Sequence, residues 1–347
     1  QRLSTPPSFE NSALVTDDAV LAAQVSSIFR RSGRYFSVIE GPRMGRLDAS
    51  SEATRRRNAL AKSDADHIFL GALADDACAA MRSGGGRLEV VQNVEAVLQA
   101  IRGKLSRPRK QLHWGATNLG IGLHLARSQG MELICDLAES PPTQLVERGR
   151  HLLVACEMGA SISEVIASNV AFAFNASFAT FPELSEDERD QWIEDLYLFG
   201  ESADRSTGLV SMADRARTHL GALTVDRYAT ILWITSGFPW GIATPQQPST
   251  HLRRYPDFGR IVVEGIWASE PKKQGARAAL LVDPEKVSGS EMQTINRALL
   301  KNGTLTHALR GEGATVANVD SLVNLLPNDI IVLSSHAGDA SGERVTY

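Results

Sequence analysis

Short apolar runs alternate with longer stretches of helical spacing along this chain, and the alternation predicts the fold. Ala13 to Asp17 reads as a strand and Ala19 to Arg31 as a helix with apolar residues at helical spacing. Tyr35 to Ile39 is the next strand, closed by Gly41-Pro42, and a helix from about Ala53 to Lys62 leads into the strand His67 to Gly71. A further helix ends at Gly84-Gly85-Gly86, a clear breaker, ahead of the strand Leu88 to Val91 and a helix from Val94 to Ile101. Strands separated by helices imply parallel pairing and a doubly wound sheet.

The rhythm resumes past a basic, Pro108-containing linker from Arg102 to Lys110. A helix is predicted over Leu119 to Gln129, strands over Met131 to Cys135, His151 to Ala155 and Phe178 to Phe181, and a helix from about Ser163 to Phe174. From Ser185 to His219 the pattern is helical, with Ser185 as N-cap and acids in the first turn. Strands follow at Thr230 to Ile234, Arg260 to Val263 and Ala278 to Asp283, with an extended segment at Leu305 to Leu309. Helices over Gln293 to Leu300 and Thr315 to Leu325 precede a last strand, Ile330 to Leu333. The expected fold is α/β, with two or three doubly wound, mainly parallel three-layer units. Residues 1–105 form an N-terminal α/β domain, 106–184 a second α/β unit, 185–226 an acidic helical connector and 227–347 a last, partial domain.

Composition narrows the function. A 43% apolar and 22% charged chain is ordinary globular material, which excludes disorder. The net charge of −4 offers no global case for nucleic acid, although the run from Arg30 to Lys62 holds nine basic residues against three acidic ones and leaves that partner open. Cys78, Cys135 and Cys156 have no paired spacing, so no disulfide framework or zinc site is expected, and reduced thiols point to the cytoplasm. No apolar run approaches the roughly 20 residues of a membrane span. No metal or cofactor is expected.

The end of the chain carries the most chemistry. Asp329-Ile-Ile-Val-Leu-Ser-Ser-His336-Ala-Gly338 reads as a buried strand that delivers an imidazole to the rim of a sheet. Ligands of open α/β sheets collect at the carboxyl ends of the strands, and a histidine there is a candidate proton carrier. Together with Leu280-Leu-Val-Asp283, the helix around Asn296 and Gly311-Glu-Gly-Ala-Thr315-Val-Ala-Asn318, this succession resembles the first half of a caspase-fold cysteine peptidase domain. It is most similar to the bacterial CHAT-type branch. Ile231-Leu-Trp-Ile-Thr-Ser-Gly237-Phe-Pro-Trp240 resembles the strand and turn that begin such domains. The likeness covers about the last third of the chain, and the glycine after the histidine stands one place late, at Gly338.

The resemblance implies a cysteine endopeptidase with His336 as general base, acting on a protein substrate within a regulated bacterial system of defence or signalling. It also implies an N-terminal region that senses a signal or binds a regulatory protein. The family's nucleophile follows the histidine strand, whereas all three cysteines here precede it. Cys156, in Ala155-Cys156-Glu157-Met-Gly159, would serve only in a permuted fold. A catalytically inactive caspase-like scaffold is the second reading, and a ligand-sensing or nucleotide-sensing α/β protein the third. His251 in Pro248-Ser-Thr-His251 marks a possible pocket loop. His113-Trp114-Gly115-Ala-Thr-Asn118-Leu-Gly120-Ile-Gly122 superficially suggests an anion-binding loop but lacks the lysine of a P-loop. Gly41-Pro-Arg43-Met-Gly-Arg46 offers arginines to a phosphate.

Overall fold

The structure is a computed structural model that describes residues 8–44, 49–61, 65–82, 88–101, 105–159, 161–201, 204–221, 223–253, 259–260, 262–263, 277–284, 289–325 and 328–334. The chain is α/β throughout, with mainly parallel sheets flanked by helices. It divides into two compact units, residues 1–265 and 266–347.

In the first unit, strands β1 (Ser8–Thr16), β2 (Arg34–Glu40), β3 (His67–Gly71) and β4 (Leu88–Val91) form a parallel sheet A of order β2-β1-β3-β4. Their connections are helices α1 (Ala19–Ile28), α2 (Ala49–Ala61) and α3 (Asp75–Arg82), and α4 (Val94–Ala100) follows β4. Helix α1 starts where it does because the Asp18 carboxylate accepts from the amides of Val20 and Leu21, at 2.8 and 3.0 Å. The β1–β2 ladder is irregular: Phe9 pairs with Tyr35 and Ala13 with Ser37, so Glu10, Asn11 and Ser12 stand opposite Phe36 alone. Such a bulge re-aims the side chains it carries.

Strands β5 (Gln111–Gly115) and β6 (Glu132–Leu137) pair in parallel as sheet B, joined by α5 (Leu119–Gln129). Sheet C contains β7 (Leu145–Val146), β8 (Leu152–Met158), β9 (Ser177–Pro182), β10 (Thr230–Thr235) and β11 (Ser249–Arg253). Its order is β11-β10-β8-β9-β7, and only the β7–β9 pair is antiparallel. Helix α6 (Ile162–Ala173) packs on both β2 and β8, and of its described residues only Ser163 is not buried. A helix enclosed in this way is largely apolar, and the polar residues it buries, Glu164, Ser168 and Asn169, are set among its Ile, Val, Ala and Phe side chains. Its Asn169 satisfies its own amide and three neighbours at once. The side chain donates to Ser26 Oγ (3.1 Å) and to the Phe36 carbonyl (3.2 Å), and accepts from Arg127 Nη1 (2.6 Å). Elements α1, β2, α5 and α6 are thereby tied together.

Three segments differ from expectation. Thr230 to Thr235, grouped by sequence with the last domain, lies between β8 and β11, because a strand buried at every residue after Thr230 requires a partner on each edge. The acidic stretch expected as a connector forms α7 (Glu186–Glu201) and α8 (Arg205–Leu220), and it buries Trp192, Met212, Ala216 and Leu220 in the same core as Trp233 of β10. Its predicted start is present as a capping box, with Ser185 and Glu188 exchanging side-chain to backbone bonds. At Arg260 to Val263, where the sequence predicts a strand, Gly259, Arg260, Val262 and Val263 are helical. So short an apolar run has no period of its own, and the Arg260 guanidinium lies 4.9 Å over the Phe9 ring.

The second unit holds sheet D, three parallel strands in the order β13-β12-β14, with β12 (Arg277–Asp283) between β13 (Thr304–Arg310) and β14 (Ile330–Leu333). Helices α9 (Gly289–Lys301) and α10 (Val316–Leu325) make the crossovers. Strand β12 is buried from Ala279 to Asp283, whereas β14 alternates between half-buried and exposed.

Candidate functional site

Chemistry is expected at the carboxyl ends of the parallel strands, and the two sheets of interest end differently. In sheet D, Asp283 closes β12 fully buried, and Arg310 at the end of β13 reaches its Oδ2 through Nε and Nη2, each at 3.3 Å. The amide of Ser334, one residue past β14, donates to the Val282 carbonyl at 2.8 Å. Ser334 therefore lies beside Val282 at the carboxyl edge of the sheet. His336 itself lies outside the described residues, as does Arg46.

In sheet C the central strand β8 ends in Cys156, Glu157 and Met158. Cys156 is fully buried, in register with Ile234 on one side and Thr180 on the other, and its thiol meets the Glu157 carbonyl at 3.4 Å. Glu157 is a buried carboxylate that receives the Ser236 amide at 2.7 Å and the Trp240 indole N–H at 3.1 Å. These bonds fasten the turn after β10 over the end of β8. The rings of Trp192, Phe238, Trp240 and Phe181 close over the same place, with centroids 4.9–6.1 Å apart among the contacting pairs. This edge is sealed. Glu157 was not singled out by sequence, although a lone acid ending the run Leu152-Leu-Val-Ala-Cys156 is the signal that marks it.

The remaining cysteines are poor nucleophiles by environment. Burial pushes the Cys135 thiol up to about 11, with Asp136 and Asp18 adding to the effect, and burial likewise raises Cys78. His251 belongs to β11 rather than to a loop, and its Nε2 accepts the Gly241 amide at 2.8 Å. Burial lowers its basicity. A side chain at Gly241 would run into this ring, at 2.7 Å from Cε1, which is why glycine stands there.

The glycine-rich segment after β5 serves packing. A Cβ at Gly122 would meet the Trp114 ring at 2.7 Å, and one at Gly120 the Phe178 ring at 2.8 Å. Asn118, at φ 51°, turns the chain into α5, its side chain holding the Thr143 carbonyl and the Thr180 hydroxyl. His113 Nδ1 sits 2.8 Å from Asp136 on the neighbouring strand, both half exposed. In the basic N-terminal region, the Arg43 guanidinium meets Glu40 at 3.0 Å and Arg56 is buried, donating to the Glu40 carbonyl. Much of that charge is thus engaged within the protein.

Among the described residues no group of three or more His, Cys, Asp or Glu is placed to hold a metal ion, and no helix is long and apolar enough to cross a membrane. Comparison with family models, with curated proteins and with solved structures finds no match to this chain.

Proposed function

We propose that residues 266–347 form a caspase-like module in which His336 is the proton carrier, and that the preceding α/β unit is its sensing or partner-binding region. What supports the reading is the strand order of sheet D. Three parallel strands with the first in the middle and the third alongside bring Ser334 to the carboxyl edge beside β12, whose buried Asp283 is paired with the partly exposed Arg310. A histidine carried by such a segment takes the proton of an attacking thiol. The thiolate bonds to the peptide carbonyl, and the same imidazole returns the proton to the departing amine. In the family that the sequence resembles, the thiol follows the histidine strand, and Cys78, Cys135 and Cys156 all precede it.

The test is a thiol-directed peptide probe applied to the gene product as the cell makes it. The expected result is covalent labelling that falls by about 100-fold or more in His336→Ala. Absence of labelling in a folded protein sinks the peptidase reading.

A second reading, an inactive caspase-like scaffold, is favoured by the state of the described thiols. Cys156 has no exposed surface, and burial holds Cys78 and Cys135 in the protonated form. On this reading a protein partner still binds and no probe is attached.

A further inference from the structure

The amino edge of sheet A carries a cleft of about 300 Å³. Glu10, Asn11 and Ser12 line it from the β1 bulge, with Arg34 and His67 from the first residues of β2 and β3. Phe29 and Arg31, just past α1, and Ile101, just past α4, also line it.

The group that needs explaining is Glu10. Its side chain is only 7% exposed, yet Oε1 is buried with no hydrogen-bond partner among the described residues. Oε2 stands 3.8 Å from Arg34 Nη1, beyond hydrogen-bond range. A buried acceptor left unsatisfied is costly, more so when it is charged. Native folds keep few such groups, and a functional role is among the reasons they do. The register irregularity of β1 falls on the three residues that line the cleft, so the ladder is interrupted where Glu10 is presented. Burial raises the carboxyl of Glu10 above its ordinary value, while Arg34, Arg127 and Arg31 oppose that shift.

The chemistry of the walls selects the ligand. Arg34 is ion-paired with Glu10, and Arg31 offers a fork-shaped donor that matches phosphate or carboxylate. Glu10 Oε1 demands an N–H or O–H donor. Phe29 and Ile101 supply buried apolar surface between them. The C-terminal ends of α1 and α4 face the same rim and are slightly negative, which disfavours a bare anion and favours a molecule that also brings donors. A volume of about 300 Å³ is at the small end of ligand pockets and suits one nucleotide rather than two.

We propose that this cleft binds a mononucleotide, with a base N–H group on Glu10 and the phosphate on Arg31. The proposal is independent of any peptidase activity, because its readout is binding by the chain itself.

Isothermal titration of the protein with GMP and with AMP tests it, against inorganic phosphate and free arginine as controls. The expected result is saturable binding of at least one nucleotide. Affinity drops roughly tenfold or more in Glu10→Gln and in Arg31→Ala, while phosphate and arginine bind far more weakly. Arg31 is exposed, so its variant keeps the fold even where a change at Glu10 does not. The proposal is overturned if neither nucleotide binds at millimolar concentration, if phosphate or arginine binds as well as they do, or if Arg31→Ala leaves nucleotide affinity unchanged.

Discussion

Strands β8 and β14 read alike as short apolar runs ending in a reactive side chain, Cys156 in one and His336 in the other, yet they occupy opposite situations. Strand β8 is the centre of a five-stranded sheet, hydrogen-bonded to β9 and β10, buried at every residue from Leu153 to Glu157. Strand β14 pairs with β12 and has no second partner among the described residues; its Ile331 and Leu333 are 53% and 67% exposed. A strand held on both edges and covered on both faces presents nothing to a substrate, whatever it carries. A strand at a sheet edge can hand its next residues to solvent. The difference marks Cys156 as a structural thiol and β14 as an open-edged strand.

Five measurements break or sharpen that contrast. The largest effect is expected from pH, at the helix that covers sheet C. His124 of α5 is fully buried against Phe178, and burial drives its pKa from 6.5 down to about 3. The unfolded chain therefore takes up a proton that the folded one refuses. This contribution to stability is whole above pH 6.5 and is lost as pH falls from there towards about 3, by on the order of 5 kcal/mol. Urea melts across that range check it, and His124→Leu should flatten the slope. Next is Glu157→Ala, which strips the partner from the Ser236 amide and the Trp240 indole and should cost about 3 kcal/mol. A midpoint shift below about 1 kcal/mol would mean that the end of β8 is open after all.

Cys156→Ala should cost only about 1 kcal/mol, as a small cavity. In the native wild type, Cys156 should react with a disulfide reagent only at the rate of unfolding; fast modification, located by mass spectrometry, would contradict the sealed edge. The smallest effect belongs to β14, where Ile331→Lys should change stability by no more than about 0.5 kcal/mol. A much larger loss would place Ile331 under a cover.

Much of the fold is legible in the sequence. The spacing predicts β3, β4, α5 and β14 at their observed bounds, because each is a compact run with clear breakers or a cap beside it. Strands β7 and β11 escape notice: one is two residues long, the other polar, and both exist only through their neighbours. The site is less legible. His336 is marked by its place after an apolar strand, but Glu10 is an acid in an unremarkable segment, and only the bulge in β1 turns it into the cleft.

Local pattern thus determined the α/β class, the parallel pairing that helical crossovers impose, and the order of chemical groups along the chain. Tertiary structure alone decided that β10 and β11 belong with β8, that α7 and α8 close over them, and that Cys156 is buried. Periodicity records which faces of an element are apolar. It does not record which element will cover them, since that depends on partners far away in sequence whose burial is settled only when the sheets assemble.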